Sequence, residues 1–275
     1  MNSNKLRAII YAVLCMLLFL LTQIAASFIG SVIIVMRSVS DLSDMAEINT
    51  KAAEIVSSNM AVFSIIGSLI FIFIVLIAVK TRGKKFSLKS PKLDISACIL
   101  SVLAILLFSS SWNIALQIFA VPEILMGNTA EMDMLIRKNL FTYNLAVFVV
   151  GPIAEEIAFR GVIMTKHYTA FSAPVTIIIS ALLFGLSHFM TGSILTILFA
   201  FLGGLIFALA YEKTGSLMIA IIVHIVGNLC SFTSYLAEIF PAAMLYFISG
   251  ISMVGAIISF YKLAQKTPMY HNGKN

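Results

Sequence analysis

Long apolar runs limit this chain more than any other feature of its sequence. They cover about residues 8–36, 60–79, 95–121, 140–164, 174–189, 194–211, 217–232 and 241–263. Runs of this kind can cross a hydrocarbon core of about 30 Å. No water reaches the backbone there, so only helices or a closed barrel can cross it. The runs are continuous rather than alternating, which selects helices. The expected fold is all-α: a polytopic membrane bundle of about eight transmembrane helices, forming one domain over residues 1–275. Composition closes the soluble alternative. Hydrophobic residues make up 60% and charged residues 11% of the chain, against roughly 45–50% and 25% in soluble domains.

Basic residues orient the runs. Let the N-terminus, residues 80–92, the turn at 160–166, the Glu212-Lys213 turn and the tail share one side. That side then holds 14 of the 18 Lys and Arg, leaving Arg37, Lys51, Arg137 and Lys138 opposite. The positive-inside rule makes the rich side cytoplasmic, with both termini on it. The net charge of +6 is read as topology and contact with anionic lipid headgroups, not as nucleic-acid binding. The first run is too long for a signal-peptide core and is expected to be a retained helix. Between it and the second run, residues 37–59 read as a polar loop that can carry a short amphipathic helix. Cys15, Cys98 and Cys230 sit in apolar runs and are odd in number, which suits small core residues better than disulfides or zinc ligands.

Against this background a few polar side chains stand out. Glu155-Glu156-Ile157-Ala158-Phe159-Arg160 places two carboxylates late in the fourth run, where each charge costs roughly 2.5–3.5 kcal/mol on insertion scales. Glu156 and Arg160 are four apart and share a helical face, in the favourable order for an ion pair. Glu155 is turned about 100° from Glu156 by the helical period, so Glu156 is expected to be tied to Arg160 and Glu155 left for chemistry. The fifth run ends in Phe184-Gly185-Leu186-Ser187-His188, and the seventh contains His224-Ile225-Val226-Gly227-Asn228. Spacing of four sets Phe184 beside His188 and projects His224 and Asn228 from one face. Gly185 and Gly227 would admit close helix neighbours.

Glu155, His188, His224 and Asn228 suit a hydrolytic site in a polar cavity within the bilayer. A carboxylate and an imidazole can hold a water and take its proton. A histidine and an asparagine can donate to a developing oxyanion. Depth is imperfect: counted from the expected cytoplasmic helix ends, His188 comes out about 7 Å deeper than Glu155 at 1.5 Å per residue. Other protease types fit less well. There is no His-Glu-x-x-His motif, no aspartate lies within a run, and Ser187 and His188 are expected to face different ways.

Taken together, Glu155-Glu156-x-x-x-Arg160, Phe184-x-x-x-His188 and His224-x-x-x-Asn228 resemble the CPBP family of intramembrane glutamic proteases, the CAAX-protease and Abi proteins. Tyr211-Glu212-Lys213-Thr214-Gly215-Ser216-Leu217 resembles the family's lead-in to the last motif, and the family-like core spans about residues 140–232. The resemblance implies an endopeptidase acting on a membrane-associated protein or peptide, in a cell membrane that is expected to be bacterial. Glu155 and His188 would activate water, His224 and Asn228 would stabilise the oxyanion, and Glu156 and Arg160 would support the site structurally, without a cofactor. An older view of the family implies instead a zinc ion held by Glu155, His188 and His224. Some relatives imply a non-proteolytic alternative that acts by binding, in bacteriocin immunity or sensor regulation.

Overall fold

The computed structural model describes residues 3–38, 44–81, 93–119, 121–122, 125 and 140–268. Most of the basic segment at 80–92, the acids Glu131 and Asp133 with Arg137 and Lys138, and His271 in the tail lie outside the described residues. The rest is a helical membrane bundle of eight long helices, with no strand among the described residues. In chain order, α1 is Ser3–Ser38, α2 Met45–Thr81 and α3 Ile95–Ile118. The fourth helix, α4, runs unbroken from Leu140–Leu145 to Thr165–His167 through two widened, π-helical stretches, Ala146–Val150 and Ile157–Met164. Next come α5 (Ala173–Ser187), α6 (Ile194–Thr214), α7 (Leu217–Leu229, continued by the 3-10 stretch Cys230–Glu238) and α8 (Ala242–Ala264). Seven of the eight are long and apolar enough to cross a membrane; the other is α4.

Local chemistry explains most of the boundaries. Asp94 caps α3 by accepting from the backbone N–H of Ser96 and Ala97 at 2.9 and 3.1 Å. Ser193 and Ser216 cap α6 and α7 in the same way. Gly215 closes α6 with φ 62°, its N–H reaching Tyr211 O at 2.8 Å. The loop expected at 37–59 is not what forms. Helix α2 starts at Met45, so its polar first third and its apolar remainder are one rod of 37 residues, about 55 Å long. Residues 45–59 contain neither Gly nor Pro, and Asp44 Oδ1 accepts from Ala46 N at 2.9 Å to cap them. Helix α3 also ends sooner than expected, at Ile118, because Phe119 is already extended.

The helices pack mainly as α1 on α2, α5 on α6 and α3 on α8. Buried hydroxyls tie the last pair: Ser111 Oγ donates to Ser249 O at 2.9 Å and Ser249 Oγ to Ser111 O at 3.1 Å. On the face of α5, Gly185 meets the α6 backbone so closely that a Cβ there would lie 3.0 Å from Ile197 O. That close approach is what the glycine was expected to allow. All three cysteines are free, with Cys15 and Cys230 buried.

Candidate active site

Helix α4 presents the acidic residues on a distorted frame with an identifiable cause at one end. Pro152 has no N–H, and its ring would clash with the carbonyl four residues back in a regular α-helix. One extra residue per turn relieves this: the N–H of Gly151 reaches back five residues to Ala146 O. A Cβ at Gly151 would lie 2.7 Å from that same oxygen, so the widened turn needs glycine there. The second stretch, Ile157–Met164, contains no proline, and its sequence offers no comparable cause. Just past its end, Thr165 Oγ1 donates to Arg160 O at 3.1 Å. Widened turns of this kind occur often at functional sites.

The Glu156–Arg160 pair forms as expected. Arg160 Nη1 lies 2.8 Å from Glu156 Oε1, and both side chains are 0% exposed. Arg160 also donates from Nη2 to Gly204 O on α6 at 2.7 Å. Its guanidinium sits 5.0 Å from the ring of Phe184 and 5.4 Å from that of Phe207. A carboxylate, a carbonyl and two aromatic faces offset most of the cost of burying this arginine, although its Nε and Glu156 Oε2 have no hydrogen-bond partner among the described residues.

His224 lies between the two glutamates. Its Nδ1 is 3.0 Å from Glu156 Oε1, and its Nε2 is 3.5 Å from Glu155 Oε2. The ring stacks on Phe207 at 4.4 Å and 20°, and meets Phe184 edge-on at 5.5 Å. The expected separation of the two carboxylates is therefore incomplete, since both reach one imidazole from opposite sides. Glu155 is the more open of the two, its side chain 20% exposed against 0% for Glu156. One helical turn on, Asn228 Nδ2 donates to Val147 O in the first widened stretch of α4 at 2.8 Å. The amide has a second N–H to offer.

His188 caps the end of α5, with φ −91° and ψ 6°. Its Nδ1 is 3.0 Å from Phe184 O, so the proton sits on Nδ1 and the other ring nitrogen is left as an acceptor. The same departure from helical geometry corrects the expectation for Ser187: its Oγ lies 3.3 Å from His188 Nδ1 instead of facing away. That hydroxyl, however, donates to Phe184 O at 2.7 Å, so it is not presented as a nucleophile.

Glu155, His188, His224 and Asn228 all line one cavity of about 380 Å³. Tyr143, Thr191 and Thr196 add polar groups to its wall. The depth difference counted along ideal helices does not keep these residues apart, since all four meet the same cavity. Among the described residues no group of three His, Cys, Asp or Glu is placed to hold a metal ion.

Comparison with known families falls on the same stretch. Residues 137–230 match the model of a family described as Type II CAAX prenyl endopeptidase Rce1-like. The site-bearing third of the chain matches the CAAX-protease family. Every residue of the three motifs lies within the matched stretch, which covers α4 to α7. The matched segment is supported by helices outside it: α1 and α2 pack on α4, and α3 packs on α6 and α7. No curated protein and no solved structure matches the chain.

Some of the site was not visible in the sequence. Phe207 gives no signal among the apolar residues of α6, yet its ring is stacked on His224. Phe184 reads as packing, yet it touches Arg160, His188 and His224. Gly203-Gly204 reads as a close-packing patch, while the Gly204 carbonyl is an acceptor for Arg160.

Proposed function

We propose that this integral membrane protein is an intramembrane endopeptidase of the CAAX-protease type, hydrolysing a peptide bond in a membrane-associated protein or peptide. The observation that carries the reading is the convergence of Glu155, His188, His224 and Asn228, from three helices, on one cavity. Glu155 takes a proton from water, and His188 supports that step with the ring nitrogen that the Phe184 carbonyl leaves unused. The water oxygen bonds to the scissile carbon while His224 and Asn228 donate to the developing oxyanion. Collapse of the intermediate breaks the C–N bond, and the proton taken from water passes to the leaving amine. No covalent enzyme intermediate and no metal take part. Both termini lie in the cytoplasm in this reading.

Purified protein in lipid vesicles containing membrane-anchored peptides provides the test. Glu155→Gln and His188→Ala are each expected to lower cleavage at least 100-fold while thermal unfolding stays as in wild type. Added chelator is expected to leave wild-type cleavage unchanged. Full activity in either variant refutes the assigned roles. A biological effect that survives Glu155→Gln points instead to the binding alternative.

A further inference from the structure

We propose that Glu156 is a positioning residue of the reaction. By accepting the Nδ1–H of His224, it holds that ring with Nε2 turned to Glu155 and the cavity. The proposal rests on the peptidase reading above and goes beyond the purely structural partnership of Glu156 with Arg160. The direction of the bond follows from its neighbours. Glu156 Oε1 already accepts from Arg160 Nη1 at 2.8 Å, and an oxygen occupied by a guanidinium donor is an acceptor for the imidazole as well. The proton of the 3.0 Å contact therefore sits on Nδ1.

The acceptor itself is anchored. Arg160 fixes Glu156 from the same helix and is fixed in turn by Gly204 O on α6, so α4, α6 and α7 meet through one carboxylate. The ring has little freedom to turn over, because Phe207 covers one face at 4.4 Å and Phe184 closes on it edge-on. Once Nδ1 is held, Nε2 is the nitrogen that faces Glu155 Oε2 at 3.5 Å. A carboxylate that orients a working histidine and stabilises its doubly protonated ring is an arrangement other hydrolases also use, and that ring keeps an Nε2–H to donate to the oxyanion. A merely structural ion pair within α4 would need no imidazole on Glu156.

Two measurements test this. The chain has four histidines, so nitrogen-15 NMR of histidine-labelled protein in detergent can resolve them, with His224 assigned from the signal lost in His224→Ala. Protons on both Nδ1 and Nε2 of His224 are expected in wild type, the first held by Glu156 and the second available to the oxyanion. A neutral ring protonated only at Nε2 overturns the proposal, whether or not the protein cleaves anything. The second measurement removes the buried pair together, as Glu156→Leu with Arg160→Met, since apolar replacement of a whole buried pair is often tolerated. This double variant is expected to unfold near the wild-type temperature, to keep KM within about threefold and to lose roughly 100-fold in kcat. Wild-type kcat in the folded double variant assigns Glu156 to structure alone. Failure of Glu155→Gln to affect cleavage is a separate result, which removes the peptidase reading without touching the contact of Glu156 with His224.

Discussion

Arg160 shows what a charge needs in order to sit at the centre of an apolar bundle. Its guanidinium has a carboxylate on one nitrogen, a backbone carbonyl on another, and aromatic rings within 5.0 and 5.4 Å. Removing one partner of such a pair strands the other. Arg160→Met alone leaves the fully buried Glu156 without its counter-charge and is expected to cost about 3–5 kcal/mol, read as a lower unfolding temperature in detergent. An unchanged temperature would show that the pair carries no stability. The pair itself was legible in the sequence, because four-residue spacing on one helix is a local property. The contact of Glu156 with His224 was not, since it joins residues 68 apart in the chain and depends on how α7 meets α4. Phe207 was invisible for the same reason, as one aromatic among many until its partner is known.

The element that shapes the site is α4, and its most informative residues are Gly151 and Pro152. The widened turn before Glu155 follows from the missing proline N–H. It changes the angular position of every residue downstream, so a regular helical wheel misplaces the two glutamates. Pro152→Ala restores the donor and removes the ring clash, allowing a regular α-turn. The expected result is a folded protein with at least tenfold lower kcat, while unchanged kinetics would detach the distortion from function. Helix α2 teaches a different lesson. Where the chain leaves the membrane need not be where its helix ends, and polar residues with good helix propensity carried α2 well past the apolar run.

Helix α3 carries a pH-dependent cap. The Ser96 hydroxyl, the Ala97 and Ser96 backbone N–H groups and Lys266 hold the Asp94 carboxyl below its usual range. A depressed value means that the cap's stabilisation is complete above the ordinary carboxylate range and is lost as pH falls through the lowered value. Asp94→Ala is therefore expected to unfold at a lower temperature than wild type near pH 7, with the difference closing as the solution is acidified. A gap that stays constant with pH would exclude the charge as its cause.

At the scale of the molecule, the fold class could be read from the apolar runs, because a bilayer leaves the backbone few choices. The candidate site residues could be picked out as polar groups placed where they are costly. Depths counted along ideal helices set His188 apart from Glu155, whereas both line one cavity, because the widened turns of α4 were not visible in the sequence. The claim on which the rest depends is that Glu155 drives hydrolysis of membrane-associated protein. The most direct measurement compares protein N-termini in membranes of cells carrying either the wild type or Glu155→Gln at equal abundance. New termini in membrane-associated proteins, present with the wild type and missing with the variant, are the expected result. Identical sets of termini in both would contradict it.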